Sequence, residues 1–418
     1  MTTPTRPPQN AAAVADRLRA ALGRISGARM AATVDALAGD AFAGRRVGSA
    51  GGAAARAWLA QHLADAGAVV TLKPFTVPHV PEVYTTPAVS WSGDETERHL
   101  TFGQQVAVHL ASADEPLIRR GALAVAGGGA PAGRWLAVPA GMTLFDAYGN
   151  AEGALGLLLS RGVDADGWQY TMLAGPGPGP LPILTLDTAT HTAVLHAAST
   201  GGGRFAGNTP IRRLEVPATN VHARWRPAAG GLDLLLAAHY DGVGDHPGLR
   251  QPAAADNGSG VAVVLEAAGV LAEVLPDTVG LAVALLDGEE AGALGSAHHA
   301  AQLRATGAAP TVVNVDGAGH LHAAAAVEAG GPAHALLAAL DQAGRHTGMP
   351  LVAGPVASDN RRYAAAGLAS AGIGAGMAGY HSPGDTPDRV ETGTLAAVAR
   401  LVVATGLLLS AGPATVSS

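Results

Sequence analysis

The chain contains no cysteine among its 418 residues. Disulfide bridges are therefore excluded, and any zinc site has to be made from histidine, aspartate and glutamate. Aromatic residues are scarce at 4 %, so the core must be assembled from small aliphatic side chains, with alanine and glycine very frequent. Charged residues reach only 14 %, and the balance is acidic, with a formal net charge of -7. A nucleic-acid partner calls for a basic face and is set aside on that ground. The N-terminal stretch MTTPTRPPQNAAAVADRLRAALGRISG lacks the continuous apolar run of a signal peptide. The longest apolar run near the C-terminus, 401–409, is too short to span a membrane. These absences predict no membrane partner and an unexported, cytoplasmic protein, with secretion left open. The oligomeric state has no signature in the sequence.

The 48 % hydrophobic content is that of a globular protein. The length exceeds one ordinary core and predicts a large domain plus a smaller one. Helical periodicity marks 11–23 and 29–39, and 53–66 reads as an amphipathic helix ended by Gly67 and followed by a strand at 69–75. Between 85 and 215 the texture changes. Short β-like runs at 134–138, 156–159 and 181–186 are separated by GGGAPAG, GPGPGP and STGGG, which read as turns rather than a phosphate cradle. The expected organisation is an N-terminal part of a catalytic domain at 1–84, an inserted β-rich domain at 85–215, and the main part of the catalytic domain at 216–418.

From residue 232 the signal strengthens. Apolar strands are expected at 232–238, 279–286, 311–315 and 372–377. Helices are expected at 258–274, opened by Asp256 and Asn257, at 332–347 and at 392–409. This alternation predicts an α/β fold with an open, mostly parallel central sheet flanked by helices on both faces. No internal repeat is evident.

The polar residues fall where such a sheet would use them, because ligands bind outside the carboxyl ends of the strands. Three apolar strands end in His239, in the Glu289–Glu290 pair and in Asp316, while Asp256 opens a helix and His381 follows the last strand. Singly, each has an ordinary structural explanation: a loop histidine, a solvated acidic pair, a helix cap. Jointly they supply two histidines and three carboxylates, a set that suits two zinc ions sharing one bridging carboxylate. Two such ions acidify a shared water and clamp a developing oxyanion, and a neighbouring carboxylate can shuttle the proton.

The segments AAHYDG (237–242), AADNGSGVAVVLE (254–266), DGEEAGALGSAHHA (287–300), NVDGAG (314–319), SDNRRYAAAG (358–367) and YHSPGDTPD (380–388) occur in one family's order. On them, and on AFAGRRVGSAGGAAARAWLAQHLADAG near the N-terminus, the chain resembles the zinc-dependent exopeptidase family. That family includes bacterial leucyl and double-zinc aminopeptidases, glutamate carboxypeptidase and glutaminyl cyclase. The resemblance covers roughly 29–80 and 216–410. It implies two zinc ions held by His239, Asp256, Glu290, Asp316 and His381, with Asp256 bridging, His239 and Asp316 on one ion, and Glu290 and His381 on the other. It implies Glu289 as general base, Tyr380 as the group that polarises the substrate carbonyl, and Asp241 as the carboxylate that orients the His239 ring. The insert resembles a protease-associated domain through GALAVAGGGAPAGRWLAVPAG and AEGALGLLLSRG, and would border the mouth of the site.

The implied activity is that of an aminopeptidase acting on a peptide. A glutaminyl cyclase-like acyl transfer with one zinc, and an amidase or deacylase acting on a small metabolite, stand as alternatives. A metal-free binding protein is disfavoured because all five ligand positions are filled. His298 and His299 follow the Glu pair on an expected helix and read as packing or surface residues. His320, His322, His334 and His346 match no family position, and Arg361–Arg362 is expected on a solvated loop. The small residues of Gly317-Ala318-Gly319 and of 372–379 predict a roomy pocket, or one completed by the insert.

Overall fold

The computed structural model describes residues 11–93 and 96–412. Helices α1 (Ala11–Leu22), α2 (Gly27–Leu37) and α3 (Ala50–Asp65) lead into a long strand, β1 (Val69–Val83). The insert supplies β2 (Ser90–Ser92), β3 (Arg98–His99), β4 (Val106–Val108), β5 (Glu115–Val125), β6 (Arg134–Ala137), α4 (Leu144–Gly149), β7 (Gly156–Arg161), β8 (Ile183–Asp187), α5 (Thr188–Ser199) and β9 (Arg204–Thr209). The chain returns along β10 (Ile211–Arg226), antiparallel to β1 from Val69↔Arg224 to Val83↔Ile211. There follow β11 (Asp233–His239), α6 (Gly260–Val274), β12 (Gly280–Leu286), α7 (Leu294–Thr306), β13 (Thr311–Val315) and β14 (Ala325–Gly330). The last elements are α8 (His334–Thr347), β15 (Leu351–Ala353), α9 (Asn360–Ala365), β16 (Ser370–Gly374) and α10 (Thr392–Ala411).

The main sheet runs β1-β10-β12-β11-β13-β16-β14-β15. Its four central strands, β12, β11, β13 and β16, are mutually parallel, so their carboxyl ends share one edge. The antiparallel pairs lie outside them, where β10 meets β12 and β14 meets β16. Alternation explains why the central strands read as unbroken apolar runs. Leu234, Leu236 and Ala238 of β11 join a core with α6, α8 and α10 on one face, while Leu235 and Ala237 join Ala300 and Tyr363 beneath α7 and α9 on the other. The insert has its own eight-stranded sheet, in which β5, β6, β7 and β8 are parallel neighbours. It carries two helices beyond the β runs expected there.

Two expectations about helices change. The regular helix α6 begins at Gly260, not 258, because Ala254–Ser259 forms a wider turn in which the Asp256–Asn257 peptide is cis. Asp256 makes no capping bond to it, whereas the Asn257 side chain accepts the Gly260 N–H at 3.0 Å. The apolar run 401–409 is part of the 20-residue α10, which is long and apolar enough to cross a membrane, as is Ala254–Val274. Both are largely buried inside the protein, with α10 packed against α2, α6 and α8. A core helix that contacts other helices all round needs no lipid to explain its composition.

Candidate metal centre

The parallel strands deliver their next residues to one edge. His239 is the last residue of β11, Asp316 follows β13, and Gly288, at φ 71, turns the chain after β12 so that Glu289 and Glu290 face inward. His381 lies in the loop after β16 with φ 52, a left-handed conformation that costs a β-carbon residue about 1–3 kcal/mol. Such conformations persist where surrounding bonds over-determine them.

The predicted ligands converge in two groups, His239–Asp256–Asp316 and Asp256–Glu290–His381. Asp256 belongs to both through different oxygens. Its Oδ1 lies 3.4 Å from His239 Nε2, and its Oδ2 lies 3.1 Å from His381 Nε2. Asp316 Oδ1 is 3.5 Å from His239 Nε2, and Glu290 Oε2 is 2.9 Å from His381 Nε2. Ligand atoms about 2.0–2.1 Å from a tetrahedral zinc stand about 3.3 Å apart, which these separations bracket. His239 Nε2, Glu290 Oε1 and Asp316 Oδ1 are buried with no hydrogen-bond partner. Buried polar atoms rarely go unsatisfied without a missing ion or water. Both the donor set and the orphaned atoms therefore fit two zinc ions.

The electrostatics agree with that fit. Burial opposes protonation of His239, but Asp316, Asp241 and Asp256 outweigh it and hold the imidazole well above its usual range. Burial likewise opposes His381, and Glu290 and Asp256 outweigh it. Burial raises Glu290, with Asp256 adding to the effect. A crowd of buried carboxylates that draws protons onto its histidines is one that calls for positive charge. Glu289 belongs to neither group. Burial, then Asp359, Asp316 and Glu290, push its carboxyl well above the glutamate range, against the opposing His239.

Tyr380 is 40 % exposed, and its ring stacks on His381 with centroids 3.7 Å apart. Burial of its hydroxyl and the nearby Asp256 and Glu290 push it far above the tyrosine range, so it remains a hydrogen-bond donor.

Asp241 does more than was expected of it. His239 Nδ1 sits 3.2 Å from the Asp241 backbone oxygen and 3.5 Å from its carboxylate. That carboxylate mainly accepts the backbone N–H groups of Glu289 at 3.1 Å and Glu290 at 3.2 Å. One aspartate thus ties His239 to the loop carrying Glu289 and Glu290.

Several site-building residues were not assigned from sequence. Asp385 accepts the N–H of Ala255 at 2.6 Å and of Asp256 at 2.9 Å, clamping the backbone at the residue the two groups share. Asn257 accepts from Gly260 and Gly317 and donates to the Val315 carbonyl, fastening the Asp256 turn to β13. Arg45 is wholly buried and donates to the carbonyls of Leu37, Tyr240, Pro252 and Ala253. Its charge lies close enough to Asp385, Asp241, Asp256 and Glu290 to offset part of theirs. Asp385 and Arg45 both stand inside the segments that carry the resemblance, but nothing in their local pattern says that they would be buried.

The small residues do not open a roomy pocket. A β-carbon on Gly376 would stand 2.2 Å from the His320 carbonyl oxygen, one on Gly379 2.1 Å from the Gly384 backbone, and one on Gly319 2.8 Å from Ala255. At Gly376 and Gly379 the space is taken by neighbouring backbone, and at Gly319 and Gly317 by the side chains of Ala255 and Met377. Arg361 and Arg362 lie on α9 rather than a loop, with Arg361 paired to Glu328 and Arg362 bonded to the Gly292 carbonyl. His299 packs on His222 and meets the Tyr363 hydroxyl, and His298 stacks on Phe75. His320 pairs with Glu391 and stacks edge-on against His322. None of these joins the metal groups, nor do His334, at the start of α8, and His346, near its end. The insert does reach the centre, since the Thr171 N–H donates to the His381 carbonyl at 2.9 Å.

Residues 220–406 match the model of peptidase family M28. Comparison with curated proteins finds no match. Among solved structures, the chain is similar to the zinc aminopeptidase BSAP from Bacillus subtilis, at 20 % identity and a TM-score of 0.70, covering 91 % of this chain and 95 % of that one. It is similar to an aminopeptidase from Aneurinibacillus sp. strain AM-1, at 20 % identity and 0.68, covering 92 % and 94 %. It is also similar to glutaminyl cyclase from Fimbriiglobus ruber, at 15 % identity and 0.51, covering 92 % and 95 %. The ligand order, the shared architecture and the match over residues 220–406 agree in relating the part of the chain that builds this centre to peptidase family M28.

Proposed function

We propose that the chain is a metal-dependent aminopeptidase that releases the N-terminal residue of a peptide by hydrolysis. The observation that carries this reading is the placing of the two Asp256 oxygens toward two separate groups, each completed by one histidine and one further carboxylate. His239 and Asp316 would hold one zinc, Glu290 and His381 the other, with Asp256 shared. Bound there, the zinc pair supplies Lewis-acid polarisation and an acidified water. Glu289, with its affinity for protons raised, would accept a proton from the attacking water as its oxygen adds to the carbonyl carbon, and return it to the amine nitrogen as the C–N bond breaks. Tyr380, protonated and at the exposed rim, donates to the oxygen of the scissile carbonyl as it gains charge. The surrounding carboxylates attract a free α-ammonium, which favours cleavage at the chain terminus. The insert, read as protease-associated-like, borders the mouth and restricts access.

A glutaminyl cyclase-like transfer would use one zinc, and the second complete ligand group favours the two-metal hydrolase over it. The test is a panel of aminoacyl anilides assayed with and without a chelator, together with Glu289→Gln. Chelation should abolish turnover and zinc restore it. Glu289→Gln should keep two zinc ions per chain and lose about 10²- to 10⁴-fold in kcat. A variant with both metals and full turnover refutes the assignment of the base, and turnover indifferent to chelator refutes the metal-dependent reading.

A further inference from the structure

The insert does more than border the centre. Its segment 164–173 crosses from the second sheet to the catalytic part as a strap with bonds at both ends. On the insert side, Asp164 Oδ1 accepts the N–H groups of Asp166 and Trp168, closing a turn. Gln169 donates through its backbone to the Gly103 carbonyl at 2.8 Å and through its side chain to the Gln104 carbonyl at 3.0 Å. It also accepts from the Thr185 hydroxyl at 2.7 Å. On the catalytic side, Asp166 pairs with Arg389, and Gln251 donates to the Thr171 hydroxyl at 2.8 Å.

Between those anchors the strap meets His381 at two atoms. The Thr171 N–H holds its carbonyl, fixing a backbone that stands at φ 52. Met172 Sδ lies 3.2 Å from its Nδ1. The tautomer follows from the other nitrogen. Nε2 faces Glu290 and Asp256, so with a metal on Nε2 the ring proton sits on Nδ1 and must find an acceptor. Metal-ligating histidines ordinarily donate that proton to a carboxylate, a carbonyl or water, and the partner sets ring orientation and basicity. His239 follows that habit with Asp241. His381 meets instead a thioether, a weak acceptor, carried by a different module.

We infer that Met172 is the positioning residue of His381, through which the inserted module sets the metal affinity of the Asp256–Glu290–His381 group. The inference rests on the two-metal reading above. It makes the two sites unequal: the His239 site is held within the catalytic part, and the His381 site depends on the strap. Met172→Leu keeps the bulk and removes the acceptor, whereas Met172→Gln offers an amide oxygen in its place.

The experiment measures metal retention by the full-length protein loaded with zinc and dialysed against graded chelator, with the d–d absorption of cobalt(II)-loaded samples as a second readout. Met172→Leu should release one ion of two at about tenfold lower chelator concentration, the low end of outer-contact effects, and leave the other ion unchanged. Its cobalt spectrum should change for that ion alone, and Met172→Gln should restore retention. Metal-free wild type and variants should unfold at the same temperature, which separates positioning from general damage. If Met172→Leu retains both ions at the wild-type chelator concentration, or if both ions weaken together, Met172 does not position His381. Wild-type protein that binds fewer than two ions overturns the metal centre itself, and the inference with it.

Discussion

Replacing Asp385 with alanine should weaken both metals at once and destabilise the metal-free protein. The Asp385 carboxylate is buried and accepts two backbone N–H groups, from Ala255 at 2.6 Å and Asp256 at 2.9 Å. Hydrogen bonds to a charged group contribute about 1.5–3 kcal/mol each, so the pair amounts to about 3–6 kcal/mol. Part of that is offset, because removal also relieves the cost of burying a carboxylate near Asp256. The net loss on Asp385→Ala should be about 2–4 kcal/mol, read as a lower urea midpoint of the metal-free protein. Because the clamp acts on the backbone of the shared ligand, chelator titration should show both ions released earlier. Met172→Leu, in contrast, should affect only one. Asp385→Asn keeps one acceptor oxygen and should lose about half as much. A loss below about 1 kcal/mol, with both ions held at the wild-type chelator concentration, would show that Asp256 is fixed by other contacts.

Two further outcomes follow from residues away from the ligands. Burial, with Lys73 and His298 adding, lowers His222 to about 4, and burial, with His222 and His298 adding, lowers His299 to about 2. Unfolded imidazoles titrate near 6.5, so below that pH the unfolded chain binds more protons and folding stability falls as the pH drops. Between pH 7 and 5 the pair should cost about 3–4 kcal/mol. His222→Phe should flatten that dependence in urea unfolding relative to wild type, and parallel curves would refute the account. Gly376→Ala places a β-carbon 2.2 Å from the His320 carbonyl at φ 85, which should cost about 2–4 kcal/mol. Thermal unfolding should register that loss while preference across the anilide panel stays the same. Unchanged stability with altered preference would mean that Gly376 shapes the pocket after all.

The sequence was most legible where the chain is buried on both sides. The apolar runs of β11, β12 and β13 were evident because both faces of those strands are covered, and their ends marked the ligands. The long β1–β10 ribbon was read only as far as residue 75, because beyond it Pro78, Pro81 and a register shift between Val77 and Val80 break the alternation. The turn at Asp256 looked like a helix cap, since Asp-Asn-Gly-Ser also suits a cap; its wider geometry comes from Asn257 bonding across to β13. Smallness at Gly376 and Gly379 looked like open space, because a sequence shows an absent side chain but not the backbone that fills its place.

The residues alone determined which chemistry was available. Without cysteine, a zinc centre had to come from histidine and carboxylates, and His239, Asp256, Glu290, Asp316 and His381 offered them at strand ends in the order of the family the chain resembles, with Glu289 beside them. Only the tertiary structure decided how that centre is held. Asp385 clamps Asp256, Arg45 offsets the surrounding charge, Asp241 ties two loops together, and Met172 reaches His381 from the inserted module. These contacts join residues as much as 209 positions apart in the chain. Local periodicity reports on a residue's immediate neighbours along the chain; such a contact exists only once both layers have packed.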